Sequence, residues 1–270
     1  MDLQLTHGDR WRTLREVADA FVRHRLSTHA AAIAFRLLVS LVPLALLGLG
    51  LLGAFGLQDV WTDSVAPAVE NRVTAPVFRG IDYSAQKILA EGSAGLITFA
   101  SLLLLWELSR AVRAVIVALN EIHDVDESRS WRVLLLTTVG LALAIFACVV
   151  ASALAILVLP RLGAGVVRVV LTLAAYGIAV VLLGVVVALV VRYAPAEHPS
   201  PEWASVGSAV VVGVWLAMSA LFGWWAGSLA DYESAVGSLT VFLLLTAYSF
   251  ASAAIFLVGV EIDEQARNRA

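Results

Sequence analysis

Charge is scarce in this sequence. Only 14% of its 270 residues are Asp, Glu, Lys or Arg, against roughly 25% in a typical soluble domain. Lys87 is its one lysine, Cys148 its one cysteine, and proline occurs 7 times. So little charge excludes a soluble domain of this size, whose surface would carry more. A single cysteine excludes a disulfide-stapled fold, and Cys148 reads as small apolar filler inside a hydrophobic run. Catalytic signatures are missing too. His7, His24, His29, His123 and His198 fall in no HExxH or Cys–His spacing, and there is no GxSxG elbow and no P-loop. No enzyme activity, metal, cofactor or ATP site is therefore expected, so any transport would be passive or driven by an ion gradient. No basic patch interleaved with aromatics points to nucleic acid. What is present is apolar: 60% of residues are hydrophobic and the mean hydropathy is +0.89. That excludes disorder and leaves a polytopic membrane protein.

A helix needs about 20 apolar residues to cross a hydrocarbon core of about 30 Å. Six segments qualify: 31–57, 96–119, 133–159, 169–191, 203–229 and 236–260. Lipid satisfies no backbone group, and runs this continuous are helices rather than barrel strands. The expected fold is all-α, with a six-helix transmembrane domain over 30–262. A 29-residue N-terminal segment precedes it, a tail over 263–270 follows it, and 58–91 forms the largest loop, with short helices. The first apolar run is longer than the core of a signal peptide and follows an Arg-rich stretch, so no cleavable leader is expected. Over 10–26, Trp11, Leu14, Val17, Ala18, Phe21 and Val22 recur at helical spacing with Arg10, Arg12, Arg15, Arg23 and Arg25 between them. This predicts an amphipathic helix, lying on anionic lipid headgroups or packed on the mouth of the bundle.

Basic residues orient the spans. Arg10, Arg12, Arg15, Arg23, Arg25, Arg110, Arg113, Arg129, Arg132, Arg192, Arg267 and Arg269 share one side. Arg72, Arg79, Lys87, Arg161 and Arg168 take the other. The larger set marks the cytoplasmic face, so both termini are expected there, and 58–91 and 231–235 outside. Trp11, Trp61, Trp131, Trp203, Trp224 and Trp225 read as interfacial anchors. Ser219, Gly223 and Gly227, like Ala147, Ala151 and Ala155, repeat at four-residue spacing for close helix packing. Pro43 suggests a kink in the first span.

The second span holds the informative charges. At about 100° per residue, Glu107, Arg110, Arg113, Asn120, Glu121 and Asp124 fall in an arc of roughly 140°. Leu108, Ala111, Val112, Val115, Ile116 and Leu119 take the opposite side, and the helix is expected to run to about His123. Glu107 lies roughly 16 Å into the span, near the midplane. A carboxylate there should face the interior with a partner such as Arg110, and Arg36 of the first span is a second candidate. Arg36, Glu107, Arg110 and Arg113 are the expected polar interior. They either line a path for a substrate or form a static pair that fixes helix register.

Three blocks of this sequence resemble the YihY family of bacterial inner-membrane proteins, sometimes labelled virulence factor BrkB. The first is Ala31–Ala–Ile–Ala–Phe–Arg–Leu–Leu–Val–Ser–Leu–Val–Pro43. The second runs from Leu105–Trp–Glu–Leu–Ser–Arg110 to Ala118–Leu–Asn120. The third passes Pro195, Gly207 and Trp215 to Tyr232–Glu–Ser–Ala–Val–Gly–Ser238 and Gly259–Val–Glu–Ile262. Arg36 stands where the family more often has an aromatic, and Val236 where it has Tyr. The resemblance implies six spans with cytoplasmic ends in the bacterial inner membrane, and adds Asn120, Tyr232, Gly237, Ser238 and Glu261 as candidate site residues. It implies no settled activity. The label ribonuclease BN, attached to some members, finds no hydrolase site here. The reading is a transporter or a handler of lipid or other envelope components, of unspecified substrate and oligomeric state. The alternative is a scaffold or envelope-assembly factor with static ion pairs.

Overall fold

The computed structural model describes residues 19, 21–71, 73, 75–91, 93–196, 206–228 and 237–267. Among them there is no strand. Residues 21–23 are helical, and α1 (Leu26–Ala54) follows. Three short turns come next: α2 (Gln58–Val60), a π-helical turn (Trp61–Val65) and α3 (Ala66–Glu70). The longer elements are α4 (Ala75–Glu91), α5 (Ala94–Ile122), α6 (Trp131–Val158), α7 (Gly165–Tyr193), α8 (Val206–Ser228) and α9 (Gly237–Arg267). Most of the expected amphipathic helix over 10–26, and the loop over 231–235, lie outside the described residues.

Each expected span coincides with a long helix, but not each helix is a span by length and composition. Four qualify: Leu26–Ala54, Trp131–Leu162, Gly165–Tyr193 and Phe242–Gln265. A fifth exists if Ala75–Ala90 and Ala94–Ile122, bent by 118°, count as one. The remaining apolar helix, Val211–Trp225, is shorter. Locally, α5 carries Glu107, Arg110 and Arg113 within two turns, and α4 meets it at that bend.

The apolar helices turn their side chains outward. Only 17% of the most apolar stretch of α6, and the same share of α7, is buried. Leu136, Val166, Leu173 and Val181 are more than three-fifths exposed. A water-facing surface does not carry so continuous an apolar face, so its surroundings are lipid and the protein is a membrane protein. Hydroxyls within these helices bond their own helix: Thr138 to the Leu134 carbonyl at 2.6 Å, Ser152 to Cys148 and Thr172 to Arg168 at 2.8 Å. These three hydroxyls need no water. α1 continues through Pro43, with Ser40 bonding the Leu37 carbonyl at 2.7 Å.

The chain forms two compact units. One takes Met1–Ile33, Ser109–Trp215 and Ala253–Ala270, the other Ala34–Leu108 and Leu216–Ser252. In the first, α6 and α7 pack against each other around a turn of 3-10 helix, Leu159–Leu162. Gly165 opens α7 at φ +56°, a conformation only glycine adopts without strain. Leu26, Ile116, Leu119, Ile122, Leu257 and Val260 of this unit are fully buried.

In the second unit Trp61 packs with Ala66, Ala85 and Leu89, bordered by Leu49, Leu52, Val65 and Phe78. Trp61, expected as an interfacial anchor, is thus core, because its indole N–H finds the Asp82 carboxylate at 2.9 Å. Trp131 and Trp224, by contrast, are exposed. The tilted Phe222–Tyr248 rings and the Ser219–Tyr248 hydrogen bond join α8 to α9. Gly53 of α1 lies so close to α4 that an added Cβ would sit 2.6 Å from the Leu89 carbonyl oxygen. Gly53→Ala should therefore destabilise this unit by about 1–3 kcal/mol through overpacking. Thermal unfolding in detergent checks it against Gly48→Ala, whose Cβ meets nothing within 4 Å. Equal midpoints for the two variants would contradict the close approach.

Candidate functional site

The polar arc of α5 divides. Its middle faces outward: Arg110, Arg113, Glu121 and Asp124 are exposed. Its two edges turn in: Glu107 and Asn120 are each 7% exposed. Leu108, Ala111, Val112, Ile116 and Leu119 are buried, as their arc predicts. Glu107 lies 13 residues after Ala94, about 20 Å along the helix and near its middle. In α1, half-buried Arg36 holds its guanidinium 5.8 Å from the centre of the Phe35 ring. Of the residues suggested by resemblance, Gly237 and Ser238 begin α9, and Tyr232 lies outside the described residues. Asn120 and Glu261 both enter polar networks in the first unit.

Asn120 is the hub of a clamp. Its Oδ1 accepts the Ala196 N–H at 2.8 Å and its Nδ2 donates to Glu127 at 3.0 Å. Its own carbonyl accepts the Val125 N–H at 2.9 Å. That last bond closes α5 as a Schellman turn, with Asp124 in the left-handed position at φ +50°. Arg129 completes the clamp. Its Nε and Nη2 grip Glu127 at 2.7 and 2.6 Å, and Nη2 also donates to the Ala194 carbonyl at 2.9 Å. The loop after α5 is thereby tied to the chain leaving α7. Hydrogen bonds from the Arg129 side chain, then from its backbone N–H and from Asn120, hold the Glu127 carboxyl at about 2, below its ordinary 4.5. Val117, Asn120, Glu121, Asp124, Val125, Asp126 and Glu127 line an adjoining cleft of about 460 Å³.

A depressed carboxylate stabilises the fold above its unfolded pKa, and that contribution is lost as pH falls through the folded value. The clamp is then at full strength above 4.5 and lost toward 2. Arg129→Gln should move the Glu127 titration back up toward 4.5. NMR of labelled glutamate carboxyls reads this, and an unmoved midpoint would show that Arg129 does not set it.

Three histidines of the first unit each bond a glutamate. His24 Nδ1 lies 3.0 Å from Glu261 Oε2, His29 Nε2 lies 3.2 Å from Glu121 Oε2, and His123 Nδ1 lies 2.5 Å from Glu264 Oε2. Glu261 also accepts Gln265 Nε2 at 3.0 Å, and Glu264 accepts Arg267 Nη2 at 2.8 and 2.6 Å. No local spacing in the sequence marks these pairs, because their partners lie up to 237 residues apart. The signal that finds them is topological. The charge count already places His24, His29, the end of the second span and the acidic run Glu261–Glu264 on one side.

Compared with known proteins, residues 17–270 match the family described as virulence factor BrkB. One relative is the putative ribonuclease-like protein YfkH of Bacillus subtilis (strain 168). It is 24% identical over 263 residues, covering 93% of each chain. No solved structure matches.

Proposed function

The chain belongs to the virulence factor BrkB family, and from that premise we propose a multi-pass protein of the bacterial cytoplasmic membrane that transports or handles a lipid or other envelope component. In this reading six helices cross the bilayer and both termini are cytoplasmic, as the distribution of arginines favours. The observation that carries it is Glu107, 7% exposed and midway along an apolar helix, with Arg110 and Arg113 exposed on the next two turns. Ionisable groups inside a span are expensive, and where they occur they usually mark a substrate or ion path. Guanidinium groups exposed along an apolar helix suit the phosphate or carboxylate of an anionic headgroup.

The scaffold reading draws its support from the Asn120–Glu127–Arg129 clamp, whose members saturate one another as a static structure would. A ribonuclease-like activity is named for the Bacillus relative. The reading for this chain is non-enzymatic, because Glu127, Glu261 and Glu264 are taken up by Asn, Arg and His partners rather than converging on a reacting group.

Transbilayer movement of fluorescent phosphatidylglycerol in proteoliposomes tests the proposal. The wild-type protein should exceed protein-free vesicles, and Glu107→Gln at equal incorporation should fall to the protein-free rate. A wild-type rate no higher than that of empty vesicles would count against lipid handling. Full activity in Glu107→Gln, with only lower protein abundance, would favour the static pair.

A further inference from the structure

Two buried histidine–glutamate pairs sit three residues apart on α9 and differ in their charge balance. Glu264 has a permanent countercharge in Arg267. Glu261, 2% exposed, has none: among the described residues its partners are His24 and the neutral Gln265 amide. A buried carboxylate without a countercharge is strongly disfavoured. Beside a neutral imidazole the His24–Glu261 pair would keep a full negative charge out of water, whereas one added proton makes the pair neutral.

The second ring nitrogens differ as well. His123 Nε2 is buried with no hydrogen-bond partner among the described residues. An imidazolium there would strand an N–H, so His123 is suited to the neutral form, donating from Nδ1. The His24 side chain stays 11% exposed, and its Nε2 is not among the sealed, unpartnered atoms. A second N–H on His24 therefore has access to water.

We propose that His24 and Glu261 form a proton-binding site that fastens residues 21–25 to α9. The proton comes from water and adds to the imidazole. One ring N–H then donates to Glu261, the other to solvent, and the charge of the pair rises from minus one to zero. The segment needs fastening: Arg25, next to His24, is held at φ +47°, a strained conformation for a side-chain-bearing residue.

Among the described residues, the other charges on the surrounding elements are exposed or engaged elsewhere. Asp19, Arg23 and Arg25 are exposed. On α1 and α5, His29 is bonded to Glu121, Asp124 is exposed, and Glu127 beyond α5 is held by Arg129. At the end of α7, Arg192 lies against the Tyr193 ring. On α9, half-buried Asp263 has an interaction of its own and Arg267 is on Glu264.

Histidine-labelled full-length protein in micelles tests this by NMR, with His24→Gln for assignment. At about pH 7, where an imidazole ordinarily changes charge, His24 should show both ring nitrogens protonated and His123 a single tautomer. Glu261→Gln should make His24 neutral at that pH, and Glu264→Gln should leave it unchanged. A nitroxide at Arg23→Cys, in a Cys148→Ala background, should be immobilised while His24 is charged and released as it deprotonates. A wild-type His24 that is neutral throughout the pH range of the folded protein overturns the proposal, and needs no variant to fold. So does a nitroxide whose mobility ignores pH.

Discussion

Lipid offers no hydrogen bond, and each part of this structure answers to that constraint. A chain that must satisfy every polar group from within forms helices wherever it meets hydrocarbon. It then has few ways to keep a polar side chain. A hydroxyl can fold back on its own helix, as Thr138, Ser152 and Thr172 do. A charge can be moved to a helix end, where other charges meet it. In the first unit the ends of α5 and α9 gather such groups, and Glu121, Glu127, Glu261 and Glu264 there are bonded to arginine, histidine, glutamine or asparagine.

Two kinds of fastening result. Arg129 on Glu127 is permanent across the ordinary pH range, because a guanidinium does not release its proton. With Asn120 it defines where α5 stops and where the chain after α7 returns. Of the histidine pairs, the proposed proton site His24–Glu261 is the conditional one, since an imidazole can change charge near neutrality. The histidine pairs lie at the start of α1 and the ends of α5 and α9 and join segments far apart in sequence.

Much of the architecture is legible in the sequence because long apolar runs leave little choice of structure. The positions of α1, α5, α6, α7, α8 and α9 follow from them. Which helices cross is harder to read, since α5 mixes apolar length with three charges and α4 meets it at a sharp bend. The polar face of α5 is legible as an arc. That Glu107 and Asn120, at its edges, turn inward while Arg110 and Arg113 face out is not, because helical periodicity does not say where the packing boundary falls. Trp61 shows the opposite error: a tryptophan near a span end suggests an interface, but Asp82, 21 residues later, makes a buried site acceptable to it. The histidine pairs depend on contacts between distant segments, which local spacing cannot reveal.

Glu107 remains the residue on which a functional account turns, since a charge midway along an apolar helix is hard to justify by packing alone. The direct measurement is water access at that depth. Cys148→Ser removes the one native thiol, and Glu107→Cys then reports on its surroundings through a small charged thiosulfonate reagent applied to membranes. A polar path predicts that Cys at 107 reacts while Cys at the buried neighbours 104 and 108 does not. A residue 107 as inert as its neighbours would contradict the account.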